Sequence, residues 1–385
     1  MFGQAISLPG TWMQSAALSW LVLTLSHSAT MIGLVLSAQF TPVLLFGAYG
    51  GVVADRLAKR RLLVATQTVY GLLACTIGIL VAEGWIELWM VFVVAVGLGL
   101  ATAVDNPARQ SFVMEMVGGE LVTNAVALNS ILVNGARVIG PAFGGALIAT
   151  VGISLCFFLN AISFVPVVFA LLMMRTKDLE SVPPKARAPG QLRSGLRYVR
   201  SRPALYTPLL MMALIGTFTF EFPVILPLLA HRTLHAGPET FGALTAAMGF
   251  GAICGGLALA GLRPRGVHAA TLAAAAFGVA TLLVAFTGSF AWALVSIALT
   301  GAASIAFMTI GNSSLQLASD PSYRGRVMAL WTVAFLGSTP IGAPIIGLVA
   351  DRWGPPAALV LGACACGLAV LVGVRALRAG APGLQ

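Results

Sequence analysis

Twelve apolar stretches, most of them long enough to cross a bilayer and separated by short polar turns, constrain this chain more than anything else in it. A helix needs about 20 apolar residues to cross a hydrocarbon core roughly 30 Å thick, and in lipid only helices and closed barrels satisfy their own backbone groups. The stretches fall near 2–25, 30–53, 62–82, 86–104, 122–150, 153–174, 205–230, 240–261, 268–287, 290–311, 325–350 and 355–374. Only 9% of the residues are charged, against roughly 25% in soluble domains, so the chain cannot clothe a water-facing surface. The expected fold class is an all-α integral membrane protein of twelve transmembrane helices in two six-helix bundles.

Charge placement orients the spans. The net charge of +10 invites a nucleic-acid reading, but the basic residues lie between apolar runs and form no soluble face, and no nucleic-acid partner is expected. An even span count puts both termini on one side, and positive residues collect on the cytoplasmic side. Nineteen of the 22 basic residues share one side. They include Arg56, Lys59, Arg60 and Arg61 after the second span and eight in the central loop. Arg232 and Arg352 lie opposite, and Arg137 lies within a span. Both termini are therefore expected in the cytoplasm of a bacterial cell, with the chain in its plasma membrane. Met1-Phe2-Gly3-Gln4 has no basic leader, and a cleaved signal peptide is not expected. The cysteines, Cys75, Cys156, Cys254, Cys364 and Cys366, fall inside apolar runs and read as small packing residues.

The long polar stretch after the sixth span, with Pro183, Pro184, Pro189 and Gly190, reads as a linker with a surface helix around 192–199. It divides the chain into 1–174, a cytoplasmic linker at 175–204, and 205–385. Landmarks recur between the halves: Gly50-Gly51 with Gly255-Gly256, and the turn glycines Gly152 and Gly354. Two parallel repeats account for this, with chance recurrence in a chain of 43 glycines as the alternative. Pairs spaced small-xxx-small, Gly47–Gly51, Gly140–Gly144 and Gly251–Gly255, are expected to let helix backbones approach closely.

Three motifs carry a family likeness. The run Gly51-Val-Val-Ala-Asp55-Arg56-Leu-Ala-Lys59-Arg60-Arg61 resembles the cytoplasmic-loop signature of the major facilitator superfamily, with Ala58 where glycine is usual. Ala136-Arg137-Val-Ile-Gly140-Pro141-Ala-Phe-Gly144-Gly145 is similar to that superfamily's antiporter motif. The runs from Asp105 to Gln110 and from Asn124 to Ser130 resemble the enterobactin-exporter-like branch of transmembrane secretion effectors, and the likeness extends over nearly the whole chain. It implies a cytoplasmic gate in which Asp55 faces the positive end of the eleventh span and Lys59 pairs with Asp105. A plain basic anchor for the loop is the alternative. Gly140, Pro141, Gly144 and Gly145 are implied to seal a contact between halves and to favour export. A similar run, Gly347-Leu-Val-Ala-Asp351-Arg352-Trp-Gly354, is read as a decoy, because span parity puts it on the extracytoplasmic side.

Two ionisable residues lie deep in spans, Arg137 and Glu221. Such groups are costly in lipid and are functional candidates by default. Glu221 is the expected proton-coupling acid, with Arg137 its partner or an anion-binding counter-charge; a fixed structural charge pair, or a carboxylic acid bonded to backbone freed by Pro223, is the alternative. By the resemblance, Gln4, Trp12, Gln14, Thr217, Phe218, Phe222 and Met308 line the central path, an apolar surface suited to amphiphiles. Thr217 and Glu221 are expected on one helix face by their i, i+4 spacing. The expected function is secondary active transport by alternating access: proton-coupled efflux of an amphiphilic small molecule, drug-like or siderophore-like, by a monomer in the lipid bilayer. A facilitator or importer of the same fold, or a membrane-embedded enzyme, is the alternative. No metal site, cofactor or nucleotide-binding loop is expected.

Overall fold

The structure is a computed structural model that describes residues 2–174, 191–262, 264–320 and 323–379. The helices are α1 (Phe2–Ser26), α2 (Ala29–Arg56), α3 (Lys59–Ala82), α4 (Leu88–Thr150), α5 (Ile153–Met173), α6 (Gln191–Arg200), α7 (Pro203–Phe218), α8 (Phe222–Leu228), α9 (Pro238–Leu262), α10 (Gly266–Ala285), α11 (Phe290–Ala318), α12 (Arg324–Leu336), α13 (Thr339–Trp353) and α14 (Pro355–Arg378). A π-helical turn, Leu229–Thr233, follows α8. No strand occurs among the described residues. Ten helical stretches among them are long and apolar enough to cross a membrane. Helix α1, diluted by Gln4, Ser7, Thr11 and Gln14, and residues 122–150 of α4 fall on the other two expected spans.

The expected loop at 105–121 is helical, and α4 runs on to Thr150. Its packing nevertheless excludes a straight rod. At one end of α5 the Cys156 thiol meets the carbonyl of Gly144; at the other, Val167 and Leu171 pack on Phe112. Those two ends of α5 are about 22 Å apart, whereas residues 112 and 144 of a straight helix would be about 48 Å apart. Helix α4 must double back, which makes it two membrane crossings. Side chains over much of 113–134 lie outside the described residues.

The contacts divide the chain into two units. One holds residues 1–27, 35–185 and 237–246; the other holds 28–34, 186–236 and 247–385. Helices α2 and α9 therefore each begin in one unit and continue in the other. Inside the units the pairing repeats: α3 packs on α5 as α10 packs on α14, and α1 packs on α5 as α7 packs on α14. The two turn glycines repeat as well, since Gly152 and Gly354 both take positive φ with ψ 163° just before α5 and α14. A side chain would be strained there.

Glycine sets the closest approaches. A Cβ on Gly251 would overlap Ala298 and one on Gly255 would meet Ala302 at 2.7 Å, so α9 and α11 touch backbone to backbone. The pair Gly47–Gly51 behaves differently from expectation. Gly47 faces open space, and Gly50 is the residue pressed against Ala103 of α4.

Of the linker, residues 175–190 lie outside the described ones. The surface helix is α6, and its last turn docks within the second unit. The Tyr198 hydroxyl donates to Asp320 at 2.9 Å, its ring stacks on Tyr323 at 4.2 Å, and Arg202 pairs with Asp320 at 3.1 Å.

Candidate functional site

In the second unit, both helices that were expected to run straight are broken, and the breaks face each other. The 205–230 span ends as α7 at Phe218 and restarts as α8 at Phe222, with Glu221 as the capping residue and Pro223 in the first turn. The 325–350 span ends as α12 at Leu336 and restarts as α13 at Thr339, again with a proline, Pro340, in the first turn. Proline lacks the N–H that a helix interior requires but suits a first turn, so each break falls just ahead of one. Gly216 admits Ala334 and Ser338, and Gly342 admits the carbonyl of Thr217. The first break is anchored on α14 by the Thr219 hydroxyl, which donates to the carbonyl of Gly362 at 2.8 Å. It is also anchored on aromatic rings, with Phe220 against Phe277 and Phe335 at 5.2 Å each.

Glu221 sits at this junction. It is 2% exposed, Thr339 is the polar side chain beside its carboxyl group, and Oε1 has no hydrogen-bond partner among the described residues. A buried carboxyl oxygen without a donor costs stability and marks a position where a proton can be taken or released. Because the helix breaks at Thr219, Thr217 and Glu221 do not share a continuous helical face. Thr217 turns its hydroxyl back to the carbonyl of Ala213 at 2.6 Å instead.

Arg137 lies in the first unit. Its guanidinium carbon is 4.8 Å from the ring centroid of Trp12, and its Nε is buried without a partner among the described residues. Neither Arg137 nor Glu221 has an ion-pair partner within its own unit among the described residues. The glycines around Arg137 are filled by neighbours: a Cβ on Gly140 would lie 2.5 Å from the carbonyl of Pro9 and 2.8 Å from Trp12, and one on Gly144 would lie 3.0 Å from Met13. Gly145 meets Gly242 of α9 with 2.7 Å between a built Cβ and the facing Cα, and a Cβ built on Gly242 would lie 2.8 Å from the carbonyl oxygen of Pro141.

At the end of α4's first crossing, Asp105 is 3% exposed. It accepts from Thr66 at 2.6 Å, from Gln67 at 2.9 Å and from Arg109 at 2.8 Å. The ion pair with Asp105 that the family resemblance implied for Lys59 is made here by Arg109, one helical turn along α4. In the loop motif, Gly51 is buried, Arg56 and Arg61 are exposed, and Arg60 donates to the carbonyls of Leu171 and Leu172. The side chain of Asp55 lies outside the described residues.

The cavity candidates separate by burial. Gln14, at 6% exposed, accepts from Asn160 at 2.6 Å, and Phe222, at 3%, packs against Phe277; both belong to helix packing. Gln4, Trp12, Phe218 and Met308 are partly exposed. A pocket of about 260 Å³, lined by Ala204, Arg265, Gly266 and Ser314 among others, contains none of these residues.

The run read as a decoy holds the densest polar contact in the second unit. Asp351 Oδ1 accepts from the Ala29 amide at 2.9 Å and from Arg232 at 3.0 Å. Its Oδ2 accepts from the Ser28 hydroxyl at 2.6 Å, the Thr30 amide at 2.9 Å and the Thr30 hydroxyl at 2.8 Å. The N-terminus of α2, which has no acidic residue in its own first turn, is thus capped by a carboxylate from α13, where a negative charge is stabilising. Sequence reasoning missed this role, although parity had already put the start of the second span and the end of the eleventh on one face.

Residues 2–380 match the profile of the transmembrane secretion effector family. The chain is 27% identical over 352 residues to the staphyloferrin A transporter of Staphylococcus aureus, covering 90% of this chain and 87% of that one. It is 27% identical over 368 residues to the multidrug efflux pump Tap of Mycobacterium tuberculosis, covering 92% and 87%. Among solved structures, a bacterial homologue of the iron transporter ferroportin superposes with a TM-score of 0.74 at 16% identity, covering 97% of each chain. A likeness at that identity speaks to the fold.

Proposed function

Because this chain belongs to the transmembrane secretion effector family of the major facilitator superfamily, we propose that it exports an amphiphilic small molecule, of drug or siderophore type, across the bacterial cytoplasmic membrane in exchange for protons. The chain works as a monomer with both termini in the cytoplasm and 175–204 as the linker between its halves. Relatives named as a staphyloferrin A transporter and a multidrug efflux pump support the substrate type. The net excess of basic residues on one side of the spans supports the orientation.

One observation carries the coupling role: Glu221, sealed from solvent at the meeting of two helix breaks, keeps one oxygen without a partner. Interrupted helices are where secondary transporters place substrate and coupling ions. On this reading Glu221 takes a proton when its cavity faces outward and releases it when the cavity faces the cytoplasm. Arg137, in the first unit, is the second buried ionisable group and is read as an anion-binding charge.

The experiment is uptake of a fluorescent drug into inside-out vesicles under an imposed pH gradient. Glu221→Gln, which keeps the shape and removes the titration, is expected to abolish gradient-driven uptake while leaving exchange down a substrate gradient. Full gradient-driven uptake by Glu221→Gln overturns the coupling role.

A further inference from the structure

Arg137 poses a charge-balance question that the first unit leaves open. Residues 2–54, 62–82, 88–104, 121–150 and 153–173 contain no aspartate or glutamate, so the membrane interior of the first six spans holds one cation and no acid. The described acids of this unit are all engaged or at helix ends: Asp105 by Arg109, Thr66 and Gln67, Glu87 by the Trp89 indole, Glu239 by the Gly237 amide, and Glu83 at the exposed end of α3. An arginine at the centre of a span costs about 2.5–3.5 kcal/mol even by the milder insertion scales. A cation–π contact returns only part of that, roughly 0.5–2 kcal/mol.

The local geometry is that of half a binding site. The guanidinium carbon lies over the Trp12 ring, and the Cβ of Trp12 packs closely on Gly140. Nε is buried and unpartnered, and neither terminal nitrogen makes a hydrogen bond or ion pair among the described residues. The guanidinium therefore lies over a flat apolar ring with no protein acceptor for its fork among the described residues. A planar carboxylate attached to an aromatic or aliphatic body fits both parts at once, with two parallel N–H···O bonds to one end and ring contact for the other. Arg137 also lies about 20 Å along its span from the cytoplasmic entry near Asn124, too deep for a lipid headgroup.

We propose that Arg137 and Trp12 form a subsite for a carboxylate of the transported molecule, so that the substrates are carboxylate-bearing amphiphiles. This rests on the export reading above and narrows its substrate class. The occupied subsite holds the anion against Arg137, and the substrate leaves when the cavity changes face, the ion pair breaking and the guanidinium returning to its contact with Trp12 alone.

The test uses the full-length protein purified in detergent and three probes of one shape: 2-naphthoate, methyl 2-naphthoate and 2-naphthylmethylammonium, with binding followed by microscale thermophoresis. Wild type is expected to prefer 2-naphthoate over its ester by tenfold or more. Arg137→Gln should erase that preference with ester affinity unchanged, which also reports that the variant is folded, and Arg137→Lys should retain part of it. Equal affinity for acid and ester, preference for the ammonium probe, a preference that survives Arg137→Gln, or no binding of any probe overturns the subsite. Vesicles of the wild type separate this from the export reading. Proton-driven uptake of a drug with no carboxylate preference sinks the subsite alone, whereas intact carboxylate preference without any driven uptake sinks the export reading and leaves the subsite standing.

Discussion

Replacing Asp351 by asparagine tests whether the cap on α2 is a strong tie. The two carboxylate oxygens accept five hydrogen bonds, three at Oδ2 and two at Oδ1. In its better orientation the amide keeps its oxygen at the Oδ2 position and turns its NH2 toward the Ala29 amide and Arg232, which are themselves donors. Two charge-assisted bonds are lost, each worth about 1.5–3 kcal/mol, and the other three become bonds to a neutral acceptor. The Asp351 side chain is 20% exposed, so water recovers part of the loss. A net cost of roughly 2 kcal/mol remains, about a 30-fold change in the equilibrium for releasing the start of α2. Hydrogen–deuterium exchange of the detergent-solubilised protein should then show the Ala29 and Thr30 amides exchanging about 30-fold faster, with α10 and α14 unchanged. Arg232→Gln should act on the same tie, so the double variant should fall short of the sum of the singles. Exchange at residues 29–34 within threefold of wild type would refute the reasoning, since the five contacts would then contribute little to holding the helix.

Further substitutions bear on packing and buried charge. Gly342→Ala drives a Cβ into the carbonyl of Thr217 and should lower stability by about 1–3 kcal/mol or more. Gly47→Ala meets nothing within 4 Å and should be neutral or stabilising by up to about 1 kcal/mol; thermal unfolding in detergent separates the two, and equal effects contradict the packing. Asp105→Ala strands Arg109, Thr66 and Gln67 and should cost about 3–5 kcal/mol, read as a collapse of the monodisperse peak in fluorescence-detected chromatography, with Asp105→Asn milder.

The spans were legible because lipid admits few ways to satisfy a backbone, and an unbroken apolar run is nearly sufficient evidence for a crossing. The breaks in those spans were partly legible. Pro223 and Pro340 each stand one residue inside a helix start, a signal that the long apolar runs around them overrode. Which residue would engage Asp105 was not legible: Thr66 and Gln67 are some forty residues away, and only the packing of α3 on α4 brings them together. The family resemblance pointed to Lys59, whereas an i, i+4 neighbour on the same helix reaches the carboxylate without any tertiary arrangement. Asp351 was discounted because its motif sat on the wrong side for the signature it resembles, yet that side is where the start of α2 needs a carboxylate. Arg137 and Glu221 stood out from the sequence alone, since hydrophobic surroundings make any charge conspicuous.

The meeting of Gly145 with Gly242 has a consequence for energy conservation. No side chain stands between those backbones, and the gap at that point is too narrow to admit a water. A pump that spends an ion gradient loses work through any file of waters that hands protons across it, whether or not cargo moves. On the proton-exchange reading proposed above, the bare contact insulates as well as packs, and the first effect of a larger residue there would be felt as leakage current before it was felt as unfolding.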